Sequence, residues 1–123
     1  MKPEKTSFLI GRIRSVRYAF RGLWLLATTE HSIISQLIIG AIVCVVGFYF
    51  KLNSTEWMFQ ILAIALVLTA ESLNTAVEKL CDYLQPDYDK KIGFIKDLSA
   101  GAVTFAAIAA MIVGGIIYLP KLF

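Results

Sequence analysis

The sequence WMFQILAIALVLTAESLNTAVEKLCD occupies residues 57–82 and joins an apolar segment to a row of acidic side chains. Residues 57–70 carry no formal charge, and the apolar pattern of one helix face then continues through Leu73 and Leu80. A helix needs about 20 residues to cross the hydrocarbon core of a bilayer. We therefore predict a transmembrane helix over about residues 57–81, with acidic side chains in its second half.

Two further segments of membrane-spanning length carry no formal charge, residues 31–50 and residues 98–119. The chain of 123 residues is 58% hydrophobic and has a mean hydropathy of +0.70, which is too apolar for an ordinary soluble domain. We predict an all-α integral-membrane protein in which residues 1–123 form a single membrane domain with three transmembrane helices.

The segment before the first span has the periodicity of an amphipathic helix. Apolar side chains recur every three or four residues, at Leu9, Ile13, Val16, Phe20, Leu23 and Ala27. Arg14, Arg17 and Arg21 lie along one flank of this helix. We predict a surface helix over about residues 7–28, lying in the membrane interface. Its arginines either attract anionic head groups or contact a phosphate of a ligand.

The distribution of Lys and Arg predicts the orientation in the membrane. The residues of this kind before the first span are Lys2, Lys5, Arg12, Arg14, Arg17 and Arg21. Those around the second loop are Lys79, Lys90, Lys91 and Lys96, and the first loop has only Lys51. By the positive-inside rule, the N-terminus and the second loop face the cytoplasm. We therefore predict a multi-pass protein of the cytoplasmic (inner) membrane.

Polar side chains of the middle span share one face of its helix. At about 100° per residue, four of them fall within an arc of about 80°: Glu71, Asn74, Glu78 and Asp82. A charge at the centre of a span costs about 2.5–3.5 kcal/mol, so acidic side chains there indicate a functional groove. For Glu78 and Asp82, near the helix end, the alternative is a position beyond the hydrocarbon that simply faces water.

The depths of these acids suggest different roles. The Cα atoms of Glu71 and Glu78 are about 10.5 Å apart along the helix axis. We predict that Glu78 binds a metal ion near the membrane edge, while the deeper Glu71 acts as a general base on a lipid hydroxyl. Glu30 is either a second metal ligand at the same level or a counterion of the nearby arginines. Carboxylate ligands suit Mg²⁺, and Asn74 would orient a phosphate or a carboxylate.

Lys96 and Asp97 directly precede the last uncharged segment. We predict that its helix begins here, where free backbone N–H groups and the helix dipole favour an anion. Lys96 is therefore a candidate phosphate ligand, and Asp97 is expected to cap the helix or to orient Lys96. The sequence contains neither a P-loop motif nor the signature motifs of protein kinases.

Three motifs carry a resemblance to a known family. They are Tyr18-Ala-Phe-Arg-Gly-Leu23 before Glu30, Glu71-x-x-Asn-Thr-Ala-Val-Glu78 followed by Asp82, and Lys96-Asp97 before the last span. In order and spacing, and over nearly the whole chain, the sequence resembles the prokaryotic diacylglycerol kinase family, which includes undecaprenol kinases.

The resemblance implies a lipid kinase that transfers the γ-phosphate of Mg-ATP to the primary hydroxyl of diacylglycerol or undecaprenol. It also implies a homotrimer whose active sites are shared between neighbouring subunits. By analogy Glu71 is the catalytic base and Glu30 and Glu78 are the metal ligands. The residues expected to bind the nucleotide are Asn74, Lys96, Asp97, Arg14, Arg21 and Tyr18. The chain departs from some members at Gly11, where Arg12 or Arg14 would replace a family Arg, and at Gln36, where they have Glu or His.

Two other functions compete with this interpretation. A small-multidrug-type transporter also carries an intramembrane Glu, but it lacks companions such as Asn74 and Lys96 and usually has one more span. A membrane scaffold without catalytic activity would explain the small residues Ala102, Ala106, Ala110 and Gly114, which favour close helix packing, but not the acids. The formal net charge of +3, without a basic-aromatic pattern, predicts no nucleic-acid partner.

Overall fold

The computed structural model describes residues 7–123, and this part of the chain is helical without a strand. Lys2 and Lys5, which contributed to the predicted orientation, lie outside the described residues. The helices are α1 (Phe8–Thr29), α2 (His31–Tyr49), α3 (Ser54–Leu84) and α4 (Lys90–Leu122). Helices α2, α3 and α4 are long and apolar enough to cross a membrane. The predicted all-α membrane fold, with three spans after an N-terminal helix, is confirmed.

Helix α1 is the amphipathic helix expected before the first span. It begins after Ser7, whose Oγ accepts a hydrogen bond from the backbone N–H of Ile10 at 3.2 Å. None of its residues is buried, and it packs against α2. At Glu30 the backbone is extended, with φ −100° and ψ 114°, so the chain changes direction between α1 and α2. The apolar side chains of α1 stay exposed, as a helix lying on a membrane requires.

A short connection over residues 50–53 makes α2 and α3 an antiparallel pair. Lys51 has a φ of 54°, and Asn53 then caps α3 together with Glu56. Asn53 Oδ1 accepts a hydrogen bond from Glu56 N at 2.9 Å, and Glu56 Oε1 accepts one from Asn53 N at 3.0 Å. We call this side of the bundle the loop 50–53 end, and the opposite side the Glu30 end.

Helices α3 and α4 form the most extensive helix pair of the bundle. Asp89 caps α4, because its Oδ1 accepts hydrogen bonds from backbone N–H groups of the first turn at 2.9 and 3.1 Å. The prediction that this helix begins at Lys96 and Asp97 is wrong: both lie more than a turn inside it, and Asp97 does not cap it. With 33 residues α4 is about 50 Å long, more than a bilayer core of about 30 Å. Hydropathy marks the apolar part of this helix, whereas the helix itself starts in polar sequence.

A largely apolar cavity of about 260 Å³ lies between α2, α3 and α4. The small residues of α4 contribute to packing unequally. Ala106 is buried, but Gly114 borders the cavity, and a Cβ added there would meet nothing within 4 Å. Toward the loop 50–53 end the cavity is lined by Gln60 and Tyr118, whose hydroxyl donates a hydrogen bond to Gln60 Oε1. This bond links α3 to α4 across the apolar interior.

Candidate functional site

Glu71 lies in α3, and its half-buried carboxylate faces α2. Its Oε2 accepts a hydrogen bond from Nε2 of Gln36 in α2 at 3.4 Å. Gln36 also lines the apolar cavity, toward the Glu30 end. An acid held between two apolar helices agrees with the interpretation of Glu71 as a functional side chain rather than a water-facing one.

Gln36 itself was not predicted as a site residue, although its difference from other family members was noted. The signal in the sequence was a lone amide within an uncharged span. A polar group in such a span needs a hydrogen-bonding partner, because its desolvation is otherwise uncompensated. Finding that partner required the pairing of α2 with α3, which periodicity within one helix does not specify.

Asn74 lies about one turn from Glu71 toward the Glu30 end, and its side chain is half-buried. Its Oδ1 atom is buried, and no group within residues 7–123 donates a hydrogen bond to it. A buried amide oxygen without a partner costs roughly 1–3 kcal/mol. This oxygen is therefore suited to accept a hydrogen bond from a ligand hydroxyl.

Glu30 forms an ion pair with α3. Its Oε2 lies 3.2 Å from Nζ of Lys79, and it also accepts a hydrogen bond from Thr29 Oγ1 at 3.3 Å. The side chain of Glu30 is 22% exposed, and that of Lys79 is 67% exposed. In the described part of the chain, Glu30 is thus balanced by a lysine of α3 and not by the arginines of α1. Lys79 was used only as an orientation signal in the sequence.

Glu78, the other predicted metal ligand, directly precedes Lys79 and is exposed. The ion pair therefore brings Glu30 to the turn of α3 that also carries Glu78. Among the described residues, no group of three or more His, Cys, Asp or Glu side chains is arranged to hold a metal. Water molecules or oxygen atoms of a bound substrate would complete the coordination of a metal at this place.

Lys96 connects α4 to the acidic face of α3, the face that carries Glu71, Asn74, Glu78 and Asp82. Its Nζ lies 2.5 Å from Oδ1 of Asp82, the last acid of that face. Both residues border a polar cavity of about 150 Å³ beside the loop between α3 and α4. Lys96 thus reaches the acidic face through an ion pair and not through the N-terminus of its helix. Asp97 is exposed.

The predicted nucleotide-binding side chains of α1 stand apart from these groups. Arg14, Tyr18 and Arg21 share one face of the helix by their spacing, and all three are exposed. Within residues 7–123, none of the ion pairs or hydrogen bonds involves their side chains. One chain therefore brings together the polar groups of α2, α3 and α4, but it leaves those of α1 unengaged.

The arrangement places polar groups at graded depths along α3. Glu71 and Asn74 lie within the apolar bundle, and the ion pairs of Glu30 and Lys96 lie nearer the Glu30 end. Such a site can hold a water-borne anionic substrate at its shallow part. A carboxylate in the deeper part can then accept a proton from a group that arrives through the membrane.

Comparison with known proteins identifies the family of the chain. The family model of prokaryotic diacylglycerol kinase matches residues 17–118. The chain is 35% identical over 109 residues to the undecaprenol kinase of Bacillus subtilis (strain 168), covering 89% of each chain. It is also 35% identical over 109 residues to the diacylglycerol kinase of a Synechocystis species, covering 88% of this chain and 62% of that one. The diacylglycerol kinase of Haemophilus influenzae is 27% identical over 115 residues, with 93% and 98% covered.

The family match includes every predicted site residue except Arg14, which lies before its first residue. The match favours an enzyme, because neither a transporter nor a scaffold would explain similarity to a kinase family over most of the chain. By the extent of this match, the chain belongs to the prokaryotic diacylglycerol kinase family and is a multi-pass membrane lipid kinase.

Proposed function

We propose that the protein transfers the γ-phosphate of ATP to the primary hydroxyl of a membrane lipid alcohol, at the Glu30 end of the bundle and on the cytoplasmic side. The observation that carries this proposal is the position of Glu71. Its carboxylate is half-buried between apolar helices, and Gln36 donates a hydrogen bond to it at 3.4 Å. ATP arrives from water and the alcohol from the bilayer, so the two meet where the apolar and charged parts of α3 adjoin.

Glu71 serves as the general base in this reaction. It takes the proton of the lipid hydroxyl while the hydroxyl oxygen forms a bond to the γ-phosphorus. The bond between that phosphorus and the β,γ-bridging oxygen breaks, and ADP leaves with the electron pair. Asn74 Oδ1 is buried and has no partner among the described residues, which supports a role for this oxygen in accepting a hydrogen bond from the incoming hydroxyl. The shallower cations, Lys96 in particular, bind the phosphates.

Glu30 and Glu78 are the proposed ligands of Mg²⁺. Carboxylate oxygens from one or two side chains, completed by phosphate oxygens, are the usual ligand set of this ion in phosphoryl transfer. The ion pair between Glu30 and Lys79, which directly follows Glu78 in α3, supports this proposal. Bound Mg²⁺ would neutralise part of the phosphate charge.

The proposed assembly is a homotrimer with sites shared between subunits. Arg14, Tyr18 and Arg21 are exposed on α1 and make no ion pair or hydrogen bond in the described chain. If they bind nucleotide, they reach the acidic face of a neighbouring α3. The exposed apolar side chains of the three spans provide surface for such contacts.

The acceptor is a lipid alcohol of the undecaprenol or diacylglycerol class, since a relative named for each is 35% identical to this chain over 109 residues. The test uses the purified full-length protein in mixed micelles with Mg²⁺ and γ-labelled ATP, and with each lipid in a separate reaction. We expect label to enter the lipid fraction with one of the two. Absence of labelled lipid with both would overturn the proposal.

The base is tested by Glu71→Gln, which keeps the size of the side chain and removes its basicity. We expect kcat to fall by about 100-fold or more, the usual contribution of a general base. Circular dichroism and gel filtration should be unchanged. The matched control is Glu56→Gln, at the loop 50–53 end, which should retain activity. Full turnover by Glu71→Gln would exclude Glu71 as the base.

A further inference from the structure

One cation at the Glu30 end has no role in the reaction as proposed so far. Lys79 directs its ammonium at Glu30, with Nζ 3.2 Å from Oε2. Glu30 occupies the extended residue between α1 and α2, and its carboxylate is 22% exposed. A carboxylate withdrawn from water to this degree is stabilised by a counterion. Lys79 is the only ion-pair partner that Glu30 has within residues 7–123.

We propose that Lys79 is a stand-in for the divalent cation: its ammonium holds the Glu30 carboxylate in the nucleotide-free protein, and metal entry at Glu30 displaces it. The inference rests on the proposed function, in which Glu30 is a metal ligand. It adds a residue to the site and defines the state from which the site binds its metal.

The exposures of the two side chains indicate which partner moves. Lys79 is 67% exposed on a flexible stem, so its ammonium can leave Glu30 and enter water at little cost. Glu30 is less exposed and is also held by Thr29 Oγ1 at 3.3 Å. The carboxylate therefore stays in place while the cation beside it is exchanged.

Electrostatics makes the two cations competitors. A metal ion on Glu30 would lie within a few ångströms of the ammonium, where like charges repel strongly outside bulk water. An ion pair with one largely exposed partner is weak, so a divalent cation can displace it. In the empty site, the ammonium of Lys79 occupies the carboxylate that the metal would bind, so removing it removes a competitor for Glu30.

The chain offers a matched control at its opposite end. Lys121 Nζ lies 3.1 Å from Glu56 Oε2, in an ion pair of the same chemistry whose side chains are 25% and 23% exposed. It joins α4 to α3 at the loop 50–53 end, remote from Glu30. Removing Lys121 therefore frees a carboxylate without affecting the proposed site.

The experiment measures Mn²⁺ binding to the detergent-solubilised full-length protein without nucleotide, by electron paramagnetic resonance. We expect Lys79→Met to bind Mn²⁺ about two- to fivefold more tightly than the wild type, the change that corresponds to loss of a weak competing ion pair. Lys79→Gln should behave alike, and Lys79→Arg should bind as the wild type. Lys121→Met should also bind as the wild type, and adding Glu30→Gln to Lys79→Met should abolish the gain.

Equal Mn²⁺ affinity in the wild type and in both neutral variants would overturn the inference, as would a lack of measurable binding in all of them. A gain that persists with Glu30→Gln, or that also appears in Lys121→Met, would do the same. Lipid phosphorylation by the wild-type preparation is measured in parallel. Phosphorylation without the affinity change refutes the role of Lys79 alone. The affinity change without phosphorylation of either lipid refutes the proposed function instead.

Discussion

Polar side chains of α3 toward the Glu30 end are paired with side chains of other segments. Glu71 is hydrogen-bonded to Gln36, Glu30 is paired with Lys79, and Asp82 is paired with Lys96. Each pair joins α3 to a different segment of the chain. Charges near a bilayer are costly without a partner, so these contacts stabilise the fold in addition to positioning the site.

Replacing Gln36 tests whether its amide positions the proposed base. Gln36→Leu removes the donor and keeps an apolar side chain of similar length beside the cavity. Because the hydrogen bond is long, at 3.4 Å, we expect only a moderate decrease in kcat, about three- to tenfold, with KM for the lipid changed less than twofold. Steady-state kinetics in mixed micelles measures both constants.

Ser35→Leu is the control for this change, because Ser35 is the exposed neighbour of Gln36 on the same helix. It should leave both constants near their wild-type values. A rise in the lipid KM at constant kcat would show that Gln36 contributes to lipid binding and does not position Glu71.

Helices α2 and α3 pack tightly near their connecting loop. A Cβ on Gly47 would lie 2.9 Å from the Trp57 ring, 3.0 Å from Gln60 Nε2 and 3.1 Å from a methyl of Leu52. A methyl group at Gly47 would require these three side chains to shift. The absence of a side chain there therefore allows Trp57 and Gln60 of α3 to pack directly against α2.

Gly47→Ala tests this packing directly. We expect a loss of about 1–3 kcal/mol in the free energy of unfolding, because the added methyl group forces the neighbouring side chains or the helices apart. Thermal unfolding in a fixed detergent, followed by circular dichroism, measures the change. Gly101→Ala is the matched control, since a Cβ there meets nothing within 4 Å and alanine favours a helix. An unchanged transition in Gly47→Ala would contradict the assigned close approach.

Much of the apolar surface of the three spans is exposed in a single chain. Large side chains such as Phe48, Leu62 and Phe105 are exposed along the spans, at 73%, 64% and 81%. Lipid chains and other subunits are the two environments that can cover such surface in a membrane. Which of the two covers this surface matters for function. The exposed residues of α1 that are proposed to bind nucleotide need the α3 helix of a neighbouring subunit to complete the site.

Mixing defective subunits tests the shared site. One parent carries Glu71→Gln, and the other carries the α1 changes Arg14→Ala, Tyr18→Phe and Arg21→Ala. If each site combines α1 of one subunit with α3 of another, mixed oligomers contain some intact sites, and their kinase activity exceeds that of both parents. Co-purification of two different affinity tags verifies that the subunits have mixed.

Mixing Glu71→Gln with Asn74→Ala provides the control, because both changes lie on one face of α3 and their mixture should regain little activity. Absence of recovery in the first mixture would place the whole site within one chain. Full activity of the α1 parent alone would exclude its three residues from nucleotide binding.

Local sequence patterns were sufficient to predict the helices and which residues share one face of a helix. Uncharged segments predicted the three spans, periodic apolar residues predicted α1, and the spacing of Glu71, Asn74 and Glu78 placed them on one face of α3. The start of α4 was missed, because hydropathy responds to the apolar residues after Asp97 whereas the helix begins at its cap, Asp89.

Membrane insertion and helix periodicity follow from neighbouring residues alone. The sequence by itself was therefore sufficient to identify an all-α membrane protein whose middle span carries an acidic face. Only the tertiary structure decided which polar groups pair with each other: Gln36 with Glu71, Lys79 with Glu30, and Asp82 with Lys96. Each pair depends on how far two helices slide and rotate against one another. Packing at positions such as Gly47 and the lengths of the loops set that register, and these combine contributions from segments far apart in the chain.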